Sequence, residues 1–112
     1  MEISIKSIPQ EAMRYATQGD WQEIDGVMMI TVAADTEDEQ FLIGLHEMVE
    51  AYLCKKHGVT EAAVDAFDLN FTGEGEPGDA PNSPYRREHR KAMLIEHLMA
   101  SFLGLSSYGA VL

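Results

Sequence analysis

Three residues in the middle of the chain have the types and the spacing of a metal-binding helix. His46, Glu47 and Glu50 form the pattern HExxE. Because four residues make about one helical turn, the imidazole at 46 and the carboxylate at 50 would point to the same side of a helix. In zinc helices of the form H-E-x-x-H, the outer residues bind the ion and the glutamate is the general base. The pattern predicts His46 and Glu50 as metal ligands and Glu47 as the catalytic base.

A third ligand is expected from a second helix. On a helical wheel His46 and Glu50 fall inside an apolar arc, and His89 and Glu96 do the same on segment 84–103. Burying a carboxylate without a partner is costly, and one shared cation would account for both helices. We therefore predict His46, Glu50 and His89 as ligands. A His–Glu hydrogen bond or a salt bridge to an arginine is the alternative.

Zinc is the ion that this ligand set predicts, because two histidines and one glutamate form a recognised catalytic zinc site. Manganese, magnesium and iron are alternatives, since they favour carboxylate oxygens. Four other acids are candidates for an additional ligand or for orienting a ligating histidine: Asp65, Asp68, Glu88 and Glu96. Three acids of the segment 72–83 are expected to be solvated instead: Glu74, Glu76 and Asp79.

Two other functions fit parts of the same pattern. Glu47-x-x-Glu50 followed by Asp65-x-x-Asp68 loosely resembles the E-x-x-E and E-x-x-D motifs of all-α nucleotide pyrophosphohydrolases, which use magnesium. The second motif here begins with aspartate, which departs from that pattern. The other alternative is a non-enzymatic accessory protein that binds a host protein, with any metal or His–Glu network serving only the structure.

The first third of the chain predicts a small antiparallel sheet. Residues 2–8 alternate between apolar and polar, which indicates a strand, and a second short strand is predicted around 13–18. Gly19-Asp20 indicates a turn. Asp25-Gly26 lies between two apolar segments, 21–24 and 27–33, and is a strong signal for a hairpin.

The rest of the chain predicts about three helices. Thr36 and Glu39 form a capping box for a helix that ends near Lys56, and Thr60 caps a helix over 61–69. The segment 72–83 is rich in Gly, Pro and acid and predicts a loop. Ser83 and Pro84 predict the start of a helix ending near Leu103. The expected fold is α+β, with residues 1–112 as a single domain.

Composition narrows the classes of partner. The 112 residues carry 19 acidic and 8 basic side chains, a net charge of −11, which disfavours binding to nucleic acid or to anionic membranes. The single cysteine, Cys54, fits a reducing compartment. No apolar segment is long enough to span a membrane, and the start lacks the apolar stretch of a signal peptide. We expect a cytoplasmic protein.

Four motifs carry a resemblance to a known group of proteins. LHExxEA, VDxFD, GEPGD and PYxxEH follow one another between residue 45 and about residue 98. In this order they resemble a family of small uncharacterised bacteriophage and prophage proteins. The resemblance implies a phage-type cytoplasmic protein and a host protein as a candidate partner. A small sheet followed by an HExxE helix is also similar to zincin-like metalloproteins, which implies a hydrolase.

Overall fold

The computed structural model describes residues 1–105 and 107–108, and its sheet has three strands. They are β1 (Glu2–Ser7), β2 (Gly19–Ile24) and β3 (Val27–Val32), in the order β1-β3-β2. β3 pairs antiparallel with β2 but parallel with β1, so the expectation of a purely antiparallel sheet is wrong. The central position goes to β3, the strand that buries Ile30 and Val32 completely or nearly so. The end of β1 and the start of β2 both pair with Val32, so the connection between them passes the C-terminal end of β3.

The hairpin at Asp25-Gly26 is confirmed. Both residues have positive φ, 51° and 78°, as a two-residue turn between twisted strands requires. The predicted strand around 13–18 is absent. That stretch follows a 3₁₀ turn at Gln10–Ala12 and is held by Arg14, whose guanidinium donates to both carboxylate oxygens of Asp20.

The predicted turn at Gly19-Asp20 is also wrong, because both residues are the first two of β2. Gly19 is needed there for its lack of a side chain. A Cβ at this position would lie 2.7 Å from Cγ2 of Ile43 and 2.8 Å from Cγ of Glu47. Glycine thus allows β2 to approach the first helix beside the glutamate of the HExxE pattern.

We expect Gly19→Ala to lower the free energy of unfolding by about 1–3 kcal/mol, because the added methyl group overpacks this contact. Urea unfolding measures the change. The matched control is Gly44→Ala, where the new Cβ would lie 3.3 Å from Cγ2 of Ile5 and the gain in helix propensity is about 1 kcal/mol. The control should keep or raise stability. Equal stability of Gly19→Ala and wild type would contradict the close approach.

The three predicted helices are present as α1 (Glu37–Lys56), α2 (Glu61–Asn70) and α3 (Arg86–Phe102). Thr36 Oγ1 accepts a hydrogen bond from the Glu39 amide, and Thr60 Oγ1 accepts one from the Ala63 amide, so both predicted caps are confirmed. No helix of the described residues is long and apolar enough to cross a membrane.

The start of α3 differs from the prediction of Ser83 as cap and Pro84 as first helical residue. The helix begins at Arg86, with Tyr85 as the N-cap residue in a non-helical conformation. The Tyr85 side chain is buried and its hydroxyl donates to Asp68 at 2.7 Å. This tertiary contact holds residue 85 outside the helix.

α1 packs against the sheet on one side and against α3 on the other. On a helical wheel Leu42, Ile43 and Cys54 lie to either side of His46 and Glu50, and all three are buried. Phe41 and Tyr52 belong to the same apolar arc on the wheel, but they are exposed. The buried face of α1 is therefore narrower than the arc, and His46 and Glu50 lie inside that face.

Candidate metal centre

The three predicted ligands meet between α1 and α3. Nε2 of His46 lies 3.2 Å from Oε2 of Glu50, and Nδ1 of His89 lies 2.8 Å from the same oxygen. All three side chains are buried, and the three ligand atoms lie within 4.8 Å of one another. A tetrahedral zinc ion with bonds of about 2.0–2.2 Å needs its ligand atoms about 3.3 Å apart. The donor set and its spacing therefore fit one zinc ion.

Two of the three ligands also have an outer partner on the atom that faces away from the cluster. Nδ1 of His46 donates to Oε1 of Glu96 at 2.7 Å, and Glu96 in turn accepts from the Tyr108 hydroxyl. Nε1 of Trp21 donates to Oε1 of Glu50 at 3.1 Å. A carboxylate behind a histidine is the usual arrangement around a ligating imidazole, because it sets the tautomer and the ring orientation.

Glu47 lies beside the ligand cluster. Its Oε2 is 3.7 Å from Nε2 of His46, and the side chain is 12% exposed. Burial and the negative charge of Glu50 raise the pKa of Glu47 well above its usual value, although the histidines partly oppose this. A carboxylate with a raised pKa can take up a proton near neutral pH.

A cleft of about 690 Å³ opens onto this cluster. Its walls come from α1, α3, the start of β2 and the loop around Pro77. Seven acidic side chains line it: Asp20, Glu39, Glu47, Glu50, Asp68, Glu76 and Glu96. Among the described residues that line the cleft, none is Lys or Arg. The cleft is thus large enough for a small ligand, and its field favours cations.

Without a metal ion, the cluster is stabilised by hydrogen bonds between protonated histidines and carboxylates. Burial disfavours the charged form of each group, but hydrogen bonds outweigh it. Glu50 and Glu96 raise the pKa of His46 from 6.5 to about 11, and Glu50 raises the pKa of His89 to about 9. The two histidines in turn lower the pKa of Glu50 from 4.5 to about 2. A divalent cation would replace the two imidazolium protons without changing the net charge.

These shifts predict how the stability of the metal-free protein depends on pH. The raised histidine pKa values stabilise the fold below pH 6.5, and this stabilisation is lost as the pH rises through about 9 and 11. The lowered pKa of Glu50 stabilises the fold above pH 4.5 and is lost as the pH falls towards 2. The raised pKa of Glu47 also lowers stability, and this loss begins as the pH rises above 4.5.

Thermal melting of chelator-treated protein should therefore give its highest midpoint between about pH 4.5 and 6.5. The variant His46→Gln should flatten the alkaline arm of this profile, because His46 has the larger rise in pKa of the two clustered histidines. An alkaline arm that stays unchanged in His46→Gln would contradict the protonated cluster.

Of the other predicted acids, some contact a predicted ligand and others pair with residues elsewhere. Glu96 contacts His46, as described above. Asp65 accepts from Arg14 at 3.0 and 3.1 Å, and Asp68 accepts from Tyr85, whose ring packs edge-on against that of His89. Glu88 is buried, and Nδ1 of His57 donates to it at 2.6 Å. Asp65 and Glu88 are therefore engaged away from the three ligands, and Asp68 reaches them only through Tyr85.

Sequence patterns missed three residues of this site. Trp21 belongs to the buried core, and its indole nitrogen also donates to Glu50. Glu76 and Asp79 are exposed, as predicted, but their carboxylates also lie 3.1 and 3.5 Å from Nε2 of His89. Gly78, which lies between these two acids in the sequence, could have indicated this contact, because a glycine in a tight turn permits close approach of a neighbouring side chain.

Comparisons with known proteins add no relative. No protein-family model matches the chain, and no significant match is found among curated proteins or solved structures. The geometry of the site therefore carries the functional argument.

Proposed function

We propose that the chain is a zinc-binding, zincin-like metallohydrolase, with His46, Glu50 and His89 as ligands and Glu47 as general base. One observation carries this proposal. Two buried imidazole nitrogens, one from each of two helices, lie 3.2 and 2.8 Å from the same buried carboxylate oxygen of Glu50, at the wall of an open cleft. A purely structural His–Glu pair would not need a cleft beside it, whereas a catalytic metal needs an open coordination position.

A bound zinc ion would supply Lewis acidity, which lowers the pKa of water and polarises a carbonyl group. The chain supplies the rest. Glu47, whose Oε2 lies 3.7 Å from Nε2 of His46, would accept a proton from water. Glu96 holds the tautomer of His46 that leaves Nε2 free to bind, and Trp21 fixes the orientation of Glu50.

The acidic lining of the cleft supports a basic substrate. H-E-x-x-H helices belong to metalloproteases, so a peptide bond is the first candidate for the scissile group. Carboxylates along the cleft would attract Lys or Arg side chains of a peptide and repel an acidic one. We therefore propose basic peptides as the substrate class.

Elemental analysis of protein purified without chelator tests the metal, and fluorogenic peptides test the activity. We expect at least one zinc ion per chain, and cleavage of Lys/Arg-rich peptides in preference to Asp/Glu-rich peptides of equal length. Dialysis against a chelator should abolish cleavage, and added zinc should restore it. Metal-free protein whose melting is unchanged by zinc would refute the metal centre. Zinc binding without cleavage of any peptide would refute only the hydrolase.

The two alternative functions remain predictions with their own outcomes. Magnesium-dependent release of pyrophosphate from nucleoside triphosphates, lost in Glu47→Gln, would select the nucleotide pyrophosphohydrolase. A metal-free chain that captures a defined host protein would select the accessory protein. The relation to phage proteins and the cytoplasmic location likewise stay predictions from the sequence.

A further inference from the structure

The second nitrogen of His89 faces two acidic side chains but has no acceptor aligned for a hydrogen bond. The side chain is 5% exposed, and Nδ1 faces Glu50, while Nε2 is a buried atom without a partner aligned for hydrogen bonding. Two carboxylates nevertheless stand at this nitrogen. Oε2 of Glu76 lies 3.1 Å away and Oδ1 of Asp79 lies 3.5 Å away. Burying a polar atom without an aligned hydrogen-bond partner is unfavourable, so the position of Nε2 beside two acids requires a reason.

The backbone of the loop brings these acids to the ring. Pro77–Asp79 form a 3₁₀ turn whose middle residue, Gly78, is buried beside the imidazole of His89. A Cβ at Gly78 would lie 2.5 Å from Cγ and 2.7 Å from Nδ1 of His89. Only a glycine fits at this position. Glu76 and Asp79, on either side of Pro77 and Gly78, then lie close to Nε2.

We propose that Glu76, Asp79 and Nε2 of His89 bind a second divalent cation, so that the His89 ring releases both ring protons to solvent and bridges two ions as an imidazolate. The three donor atoms lie within 4.8 Å of one another, as in the first cluster. The two acids are partly exposed, 66% and 42%, which leaves room for water to complete the coordination. The proposal rests on the proposed function, because the first ion uses Nδ1 of the same ring.

The second ion has a structural task. It lies on the side of the ring that faces the loop, away from Glu47 and the first ligand set. The residues Gly75 to Gly78 form one wall of the cleft. An ion that ties Glu76 and Asp79 to α3 would hold this wall of the cleft in place.

Zinc titration of chelator-treated protein tests the second site, with calorimetry and elemental analysis as readouts. We expect two ions per wild-type chain. The double variant Glu76→Gln/Asp79→Asn should bind one ion with the affinity of the tighter wild-type site. Glu74→Gln is the matched control, because it removes an exposed acid from the same loop and should still bind two.

Nitrogen NMR of the histidine rings gives an independent readout. Zinc should shift both ring nitrogens of His89 in wild type, and only Nδ1 in the double variant. One ion in wild type, or two ions in the double variant, would overturn the second site. If that single wild-type ion is lost in Glu50→Ala, the first site stands. A wild-type chain that binds no zinc would overturn both.

Discussion

Replacing Glu50 by alanine is expected to lower the affinity of the buried site for zinc by more than about 100-fold. Removing a group that only orients a ligand already costs about 10–100-fold in metal affinity, and Glu50 is the oxygen on which both histidines converge. His89→Ala should have at least the same effect, and it should also remove the second ion. Competition with a chromophoric zinc chelator measures both affinities.

Two further variants keep this prediction independent of folding. Glu50→Ala leaves the indole N–H of Trp21 and two imidazoles without their acceptor, which should cost about 3–5 kcal/mol. Glu50→Gln keeps the shape and an acceptor for Trp21 but removes the charge, so it should remain folded and still lose zinc affinity. His57→Ala is the matched control, because His57 pairs with Glu88 away from the site. Full zinc occupancy in Glu50→Ala and His89→Ala would refute the ligand assignment.

Replacing Glu47 by glutamine is expected to lower kcat for peptide cleavage by about 10²–10⁴-fold while the zinc content stays that of wild type. Glutamine has nearly the same size and fills the same space beside Gly19, but it cannot accept a proton from water. A fall in kcat without a fall in zinc content would identify Glu47 as a general base and not as a ligand. Steady-state kinetics on a Lys/Arg-rich fluorogenic peptide, together with elemental analysis, gives both quantities.

Glu39→Gln is the matched control for this experiment. Glu39 lines the same cleft and lies on the same helix about two turns earlier, where it caps the helix together with Thr36. Glutamine keeps the capping role, so the rate should stay close to that of wild type. A Glu47→Gln variant with wild-type kcat would show that another group accepts the proton, and loss of zinc in Glu47→Gln would make Glu47 a ligand.

A cation-binding role would explain why this small domain buries charged side chains. His46 and Glu50 occupy the face of α1 that Leu42 and Cys54 also occupy, where an apolar pair would avoid the cost of desolvation. The chain instead buries two histidines and a glutamate at the wall of a cleft. A site that must bind and release a cation gives a reason to retain them.

The features that sequence patterns predicted are those governed by neighbours along the chain. His46 and Glu50 share a side of α1 because the helical repeat is set by backbone hydrogen bonds four residues apart. The threonine caps and the Asp25-Gly26 turn follow from equally local contacts and steric limits. The same periodicity also placed His89 on the inner face of α3.

Packing between distant segments decided the rest. The parallel pairing of β1 depends on which strand takes the centre of the sheet, and a two-residue alternation is the same in either direction. Glu76 and Asp79 lie in a loop, where no helical or strand repeat predicts the direction of a side chain. The contact of Gly78 with His89 brings them to the ring. The donors to Glu50 come from α1, α3 and β2, so the site exists only once these elements have packed together.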